Sequence, residues 1–170
     1  KKAKSASLHD GLTGLLNRMA VDKLLKKSFV KAVNKNIALS VAMIDVDHFK
    51  KFNDMFGHQE GDNVLRLIAN TLKKISRPTD HVGRYGGEEF IVVLNDTVPA
   101  QAVVYAERIR KEIEHLGHLL SDRFPGLGLT VSIGISCFEK GIKNHDTLVS
   151  KADKALYKAK DAGRNRVVSA

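Results

Sequence analysis

Two acidic pairs in this chain stand where apolar runs begin or end. Asp45 and Asp47 close "IALSVAMIDVD", while Glu88 and Glu89 follow Gly86-Gly87 and open the apolar run Phe90 to Leu94. Residues two apart on an extended chain project to the same side, so Asp45 and Asp47 share a face. If the strand at 37–45 pairs with a hairpin turning at the glycines, Asp45 and Glu88 converge at one sheet end. Carboxylates gathered there repel unless a cation joins them. Magnesium (or manganese) fits, since it takes oxygen from one or two carboxylates and completes its shell with phosphate oxygens and water. Each residue also has a plainer role. A Glu pair beside a turn is ordinarily solvated, and Asp47, directly before "HFKKFND", suits the cap of a following helix. Asp45 lies deeper, where an unpaired charge is costly.

The neighbours extend the same chemistry. Gly86-Gly87 suits a tight turn with positive φ at both central positions, and the missing side chains let a bulky phosphate approach. The helix opening at "HFKKFND" offers backbone N–H groups to an anion, with Lys50 as a point charge. Asn53 and Asp62 supply donors and acceptors suited to a purine edge, and a carboxylate accepting from guanine N1–H and N2–H favours guanine over adenine. Lys160 and Arg164, four apart at a helix end, reach toward outer phosphates.

The elements that position these residues follow from periodicity. Helical spacing marks 17–34, 61–76, 99–116 and 145–161. The run 37–45 is apolar on both sides, as in a central strand. A hairpin spans 82–85 and 88–94, and 128–138 alternates, with Thr130, Ser132, Gly134 and Ser136 forming a small side for close packing. A short strand is expected at "RVVS", and "SDRFPGLG" (121–128) is the expected mobile loop. The order predicts an α+β sheet with helices against it.

The 170 residues suit one domain, and 43% hydrophobic with 28% charged residues is a globular balance. No apolar run reaches the length of a membrane helix, and no signal peptide is evident. The chain starts at Lys1, so it is expected to be cut from a longer protein whose remainder has room for a sensor or a membrane anchor. The single cysteine, Cys137, fits a reducing cytoplasm and an apolar role. A net charge of +9 invites a polyanion, yet the lysines spread over several helical faces and tryptophan is absent, so nucleic-acid binding is not favoured.

"DGLTGLLNR" (10–18), "DVDHFKKFND" (45–54), "GHQEGDNVL" (57–65), "RYGGEEF" (84–90), "LTVSIGIS" (129–136) and "ADKALYKAKDAGRN" (152–165) together resemble the GGDEF-domain family of diguanylate cyclases. The resemblance implies a palm-like fold akin to class III nucleotide cyclases, with the domain at 10–170 and residues 1–9 as the stub of an upstream connecting helix. It implies condensation of two GTP into cyclic di-GMP between two facing domains. By position, Asp45, the Val46 carbonyl and Glu88 would hold metal, and Glu89 would assist it or help deprotonate the 3′-hydroxyl. Phe49 and Lys50 would contact phosphates, Asn53 and Asp62 guanine, and Lys160 and Arg164 the terminal phosphates.

The resemblance also gives weight to "RPTD" (77–80), five residues before the signature turn. In product-inhibited relatives this R-x-x-D binds cyclic di-GMP, so Arg77 and Asp80, with Arg108 on the following helix, would form an inhibitory product site. The alternative function is a module that binds GTP or cyclic di-GMP and signals without catalysis. An intact signature argues against it.

Overall fold

Leu39–Val46 (β1) is buried along its entire length, because both of its faces are covered. It is the middle strand of a five-stranded sheet, order β2-β3-β1-β4-β5, in this computed structural model, which describes residues 7–126 and 128–170. The other strands are β2 (His81–Arg84), β3 (Glu89–Asn95), β4 (Val131–Cys137) and β5 (Val167–Ser169). All pairings are antiparallel except β4 with β5. The helices are α1 (Arg18–Lys35), α2 (Phe49–Phe56), α3 (His58–Ile75), α4 (Pro99–Leu119) and α5 (His145–Asp161).

The period of two along β1 divides the core. Ala42, Ile44 and Val46 face a cluster that includes Phe52 of α2, Leu65 and Ile68 of α3, and Ile109 and Ile113 of α4. Leu39, Val41 and Met43 face Leu25 and Phe29 of α1 and Leu148 and Leu156 of α5. Asp45 continues the second series, and its register partners Glu89 and Ser132 share its face. The acidic end of β1 therefore opens on the α5 side.

The helices start and stop on local chemistry. Asn17 accepts the Ala20 N–H before α1, Asn144 accepts the Thr147 N–H before α5, and Pro99 opens α4. Lys158 and Lys160 lie in the last turn of α5, where cations complement the helix dipole. Gly134 lets α5 lie directly on β4, since a Cβ there would fall 2.2 Å from Ala152 O and from Leu156 N.

Several expectations shift. α3 begins at His58 rather than 61, because Gly57 (φ 90°) turns the chain straight from α2 into it. β4 begins at Val131, not 128. Within 121–128 Phe124 is buried, with its ring 5.3 Å from Phe52 and 5.0 Å from Phe56, so the segment is pinned at that point; Leu127 lies outside the described residues. Residues 1–6 of the expected stub also lie outside them. Leu8 and His9 run against the chain at 16–17: the Asn17 N–H donates to Leu8 O, and His9 bridges Leu16.

Candidate active site at the acidic end of the sheet

The Asp45 carboxylate is almost fully buried and takes its counter-charge from α5, with Lys160 Nζ 2.8 Å from its Oδ2. Burial pushes the Asp45 carboxyl up, Lys160 pulls it back, and Asp47 adds repulsion. Glu89, across the strand pair, is also pushed up, first by burial and then by Asp45 and Asp153, with Lys160 opposing. The Val46 N–H donates to Glu88 O at 3.2 Å, tying the end of β1 to the start of the hairpin's second strand.

This donor set fits a magnesium or manganese ion. It offers hard oxygen, the deepest carboxylate already attracts a cationic head group, and its cross-strand neighbour is a second carboxylate. Among the described residues no three acidic, histidine or cysteine side chains form a ready-made cage.

Asp47 does not cap α2. The residue before α2 is His48, held at φ 55° with no side-chain cap bond, so the N–H groups of the helix's first turn carry no side-chain cap. The Asp47 carboxylate reaches instead across to β4 and the segment after α5. It accepts from Thr130 Oγ1 (2.7 Å), Ser132 Oγ (2.7 Å) and Asn165 N (3.0 Å).

The signature turn is also built differently from expectation. Neither Gly86 nor Gly87 takes positive φ, because the connection is four residues, Tyr85 to Glu88, rather than a two-residue turn. The Tyr85 and Gly86 N–H groups donate to Glu89 O. Arg84 fastens the far side, donating to Gly87 O from Nε (3.2 Å) and Nη2 (2.8 Å) while its Nη1 meets Asp10 at 3.3 Å. Gly87 faces open space, so its lack of a side chain leaves room beside the carboxylates.

Asn53 and Asp62 lie on α2 and α3, which pack against each other. Asn53 Oδ1 is buried over Gly61, where a Cβ would sit 1.8 Å away, and it has no hydrogen-bond partner among the described residues. An unpaired buried acceptor is costly, which marks Asn53 as a residue not consumed by the fold. Phe49 is buried against the same glycine, and Lys50 is exposed. Arg164 lies beyond the end of α5 at φ 65°, so its approach to the site is set by a turn and not by helical spacing from Lys160.

Arg77, Asp80 and Arg108 line one cavity of about 230 Å³ together with Thr97 and Tyr105. Asp80 is buried and holds Arg77 three ways, accepting from its backbone N–H (2.8 Å), its Nε (3.3 Å) and its Nη2 (2.9 Å). Arg77 Nη2 also donates to Asn95 O and Thr97 Oγ1, which fixes the guanidinium.

Sequence reasoning missed several supporting side chains. Asp10 and Arg84 are joined only by the fold, Arg18 lies 4.1 Å from the centre of the Tyr85 ring, and Asp153 repels Glu89 from α5. Asp10, Arg18, Arg84 and Asp153 all fall within the blocks that carried the family resemblance.

Residues 7–166 match the family model "Diguanylate cyclase, GGDEF domain". The chain is 44% identical over 133 residues to Diguanylate cyclase A of Treponema denticola, covering 78% of this chain and 35% of that protein. It is 40% identical over 159 residues to the response regulator PleD of Caulobacter vibrioides, covering 94% and 35%. It thus spans about a third of the length of these curated relatives. The GGDEF domain of DgcB from Caulobacter crescentus, solved in complex with c-di-GMP, superposes with a TM-score of 0.89 at 34% identity, covering 98% of both chains. The α+β, palm-like architecture is shared with that domain. Diguanylate cyclases of this family are metal-dependent. By sequence and by fold, this chain belongs to the GGDEF-domain family of diguanylate cyclases.

Proposed function

We propose that this domain condenses two GTP molecules into cyclic di-GMP with release of two pyrophosphates. The observation that carries this reading is the Asp45–Lys160 pair beside Glu89, in a chain whose GGEEF signature is intact. Asp45, the Val46 carbonyl and Glu88 hold the metal, magnesium or manganese, which when bound neutralises phosphate charge and makes the attacking hydroxyl more acidic. Every other task falls to the chain. Asn53 and Asp62 receive the guanine edge. Phe49 and Lys50, at the start of α2, hold phosphates on backbone N–H groups and a lysine charge. Lys160 leaves Asp45 for the triphosphate and, with Arg164, grips its outer end.

Chemistry then takes place between two such domains. The 3′-oxygen of one nucleotide forms a bond to the α-phosphorus of the other, the α–β bridging bond breaks, and pyrophosphate leaves. The hydroxyl proton passes to Glu89, which stands opposite Asp45 in the strand register. The same step on the opposite side closes the ring, so the working unit is an antiparallel homodimer. Arg77, Asp80 and Arg108 bind cyclic di-GMP and restrain the enzyme when product accumulates. An upstream sensor segment of the full-length protein controls the encounter of the two domains. The domain itself works in the cytoplasm, where GTP is found, whether or not the rest of the protein is anchored in a membrane. Among the described residues no helix is long and apolar enough to cross one.

Incubation with GTP and magnesium, followed by chromatography, tests the reading. Cyclic di-GMP and pyrophosphate are expected in a 1:2 ratio, and unchanged GTP would contradict it.

A further inference from the structure

The turn that carries Arg164 is held in an uncommon backbone state. Arg164 and Asn165 both lie in the left-handed region, at φ 65° and 44°, with no glycine at either position. Two successive residues of that kind persist only where their surroundings over-determine them. Arg164 N–H donates to Ala159 O, and Ile133 N–H donates to Arg166 O, so both flanks are tied to regular structure. Asn165 is tied three ways. Its side chain is bonded to Arg110 and Glu114 of α4, and its backbone N–H donates to Asp47 Oδ2.

Among the described residues, Asp47 is therefore the one charged group that joins this turn to the end of β1. It is buried, and both of its oxygens are occupied, Oδ1 by Ser132 and Oδ2 by Thr130 and Asn165. Ser132 is wholly buried and is the register partner of Asp45. One carboxylate thus fixes the start of β4 beside Asp45 and the loop from which Arg164 projects. We propose that Asp47 is a positioning residue for Arg164: it sets the guanidinium relative to Asp45, so that a nucleotide's outer phosphates meet it while the inner ones lie at the carboxylates. This rests on the GTP reading of the site. It gives Asp47 a role through Arg164 rather than through metal or substrate.

Affinities for the α,β-methylene analogue of GTP, which cannot release pyrophosphate, and for GMP, which lacks the outer phosphates, provide the test. Asp47→Asn is expected to weaken the triphosphate analogue about tenfold and GMP less than twofold. In Arg164→Ala, adding Asp47→Asn is expected to cost nothing more, because the two changes remove one contact. Equal loss for both ligands, or full additivity with Arg164→Ala, overturns the proposal. If Asp47→Asn does not fold, Thr130→Val, which removes one of the donors to Oδ2, is expected to show the same selectivity at about threefold, and no selectivity overturns it. Amide hydrogen exchange at residues 164–166 reads the brace without any ligand. If the wild-type domain binds no triphosphate, the GTP reading fails, and the brace then stands on faster exchange in Asp47→Asn and falls on unchanged exchange.

Discussion

Lys160 Nζ and Asp45 Oδ2 lie 2.8 Å apart, joining the last turn of α5 to the buried end of the central strand across 115 residues of sequence. The ammonium occupies the position of a counter-ion for the carboxylate that the proposed mechanism assigns to metal. On that assignment lysine and metal compete for Asp45, and a triphosphate would draw the lysine away.

Removing the rival has opposite effects on two ligands. Lys160→Met is expected to tighten nucleotide-free Mn²⁺ binding severalfold, because a competing cation is lost, and to weaken GTP about tenfold, because a phosphate partner is lost. Mn²⁺ titration followed by electron paramagnetic resonance, beside a GTP titration, reads both. Weakening of both would show that the lysine only supports the fold.

Glu88→Gln preserves shape and removes one charge. Turnover is expected to fall by about a hundredfold or more, as it commonly does when a single electrostatic element is lost from a phosphoryl-transfer site. Steady-state kinetics at saturating GTP measures it, and near-normal turnover would take Glu88 out of the metal site.

Arg77 spans Asp80, Asn95 and Thr97 with its guanidinium facing the cavity that Arg108 also lines. Arg77→Ala is expected to raise the inhibition constant for added cyclic di-GMP at least tenfold while leaving the initial rate without product near wild type. An unchanged inhibition constant would move the regulatory site elsewhere.

His81, at the start of β2, is held below the usual imidazole range by burial, with Asp80 partly opposing. The unfolded chain then takes up the proton first, so this residue's stability contribution is complete above about pH 6.5 and is lost as pH falls toward the folded value. Urea unfolding at pH 7.5 and pH 5.5 should show wild type losing more stability over that interval than His81→Gln. Equal losses would mean that the imidazole is not desolvated.

What was legible in the sequence was local or periodic. The two-sided apolar run of β1 and the small face of β4 are each set by neighbours within a few residues, and each appears where its pattern predicts. Asp45 stood out because a carboxylate at the end of a buried strand needs a partner. The partner itself, Lys160, comes from the far end of the chain, and no period in the sequence links them. Asp47 was misread for the same reason: the adjacent helix suggested a cap, whereas its three donors lie 83, 85 and 118 residues away. The Gly86-Gly87 turn misled in another way. Glycine permits positive φ without requiring it, and here Arg84 bonds and Glu89 carbonyl contacts hold a wider loop in which neither glycine uses that freedom.

The central claim is that two domains, each carrying one GTP, complete one active site. It is tested most directly by the initial rate of cyclic di-GMP formation per domain, measured across a wide range of protein concentration and again after fusion to a dimerising coiled coil. The account predicts a rate per domain that climbs with concentration and is high and concentration-independent in the fusion. A rate per domain that is flat in the unfused protein, or no product even from the fusion, would contradict it.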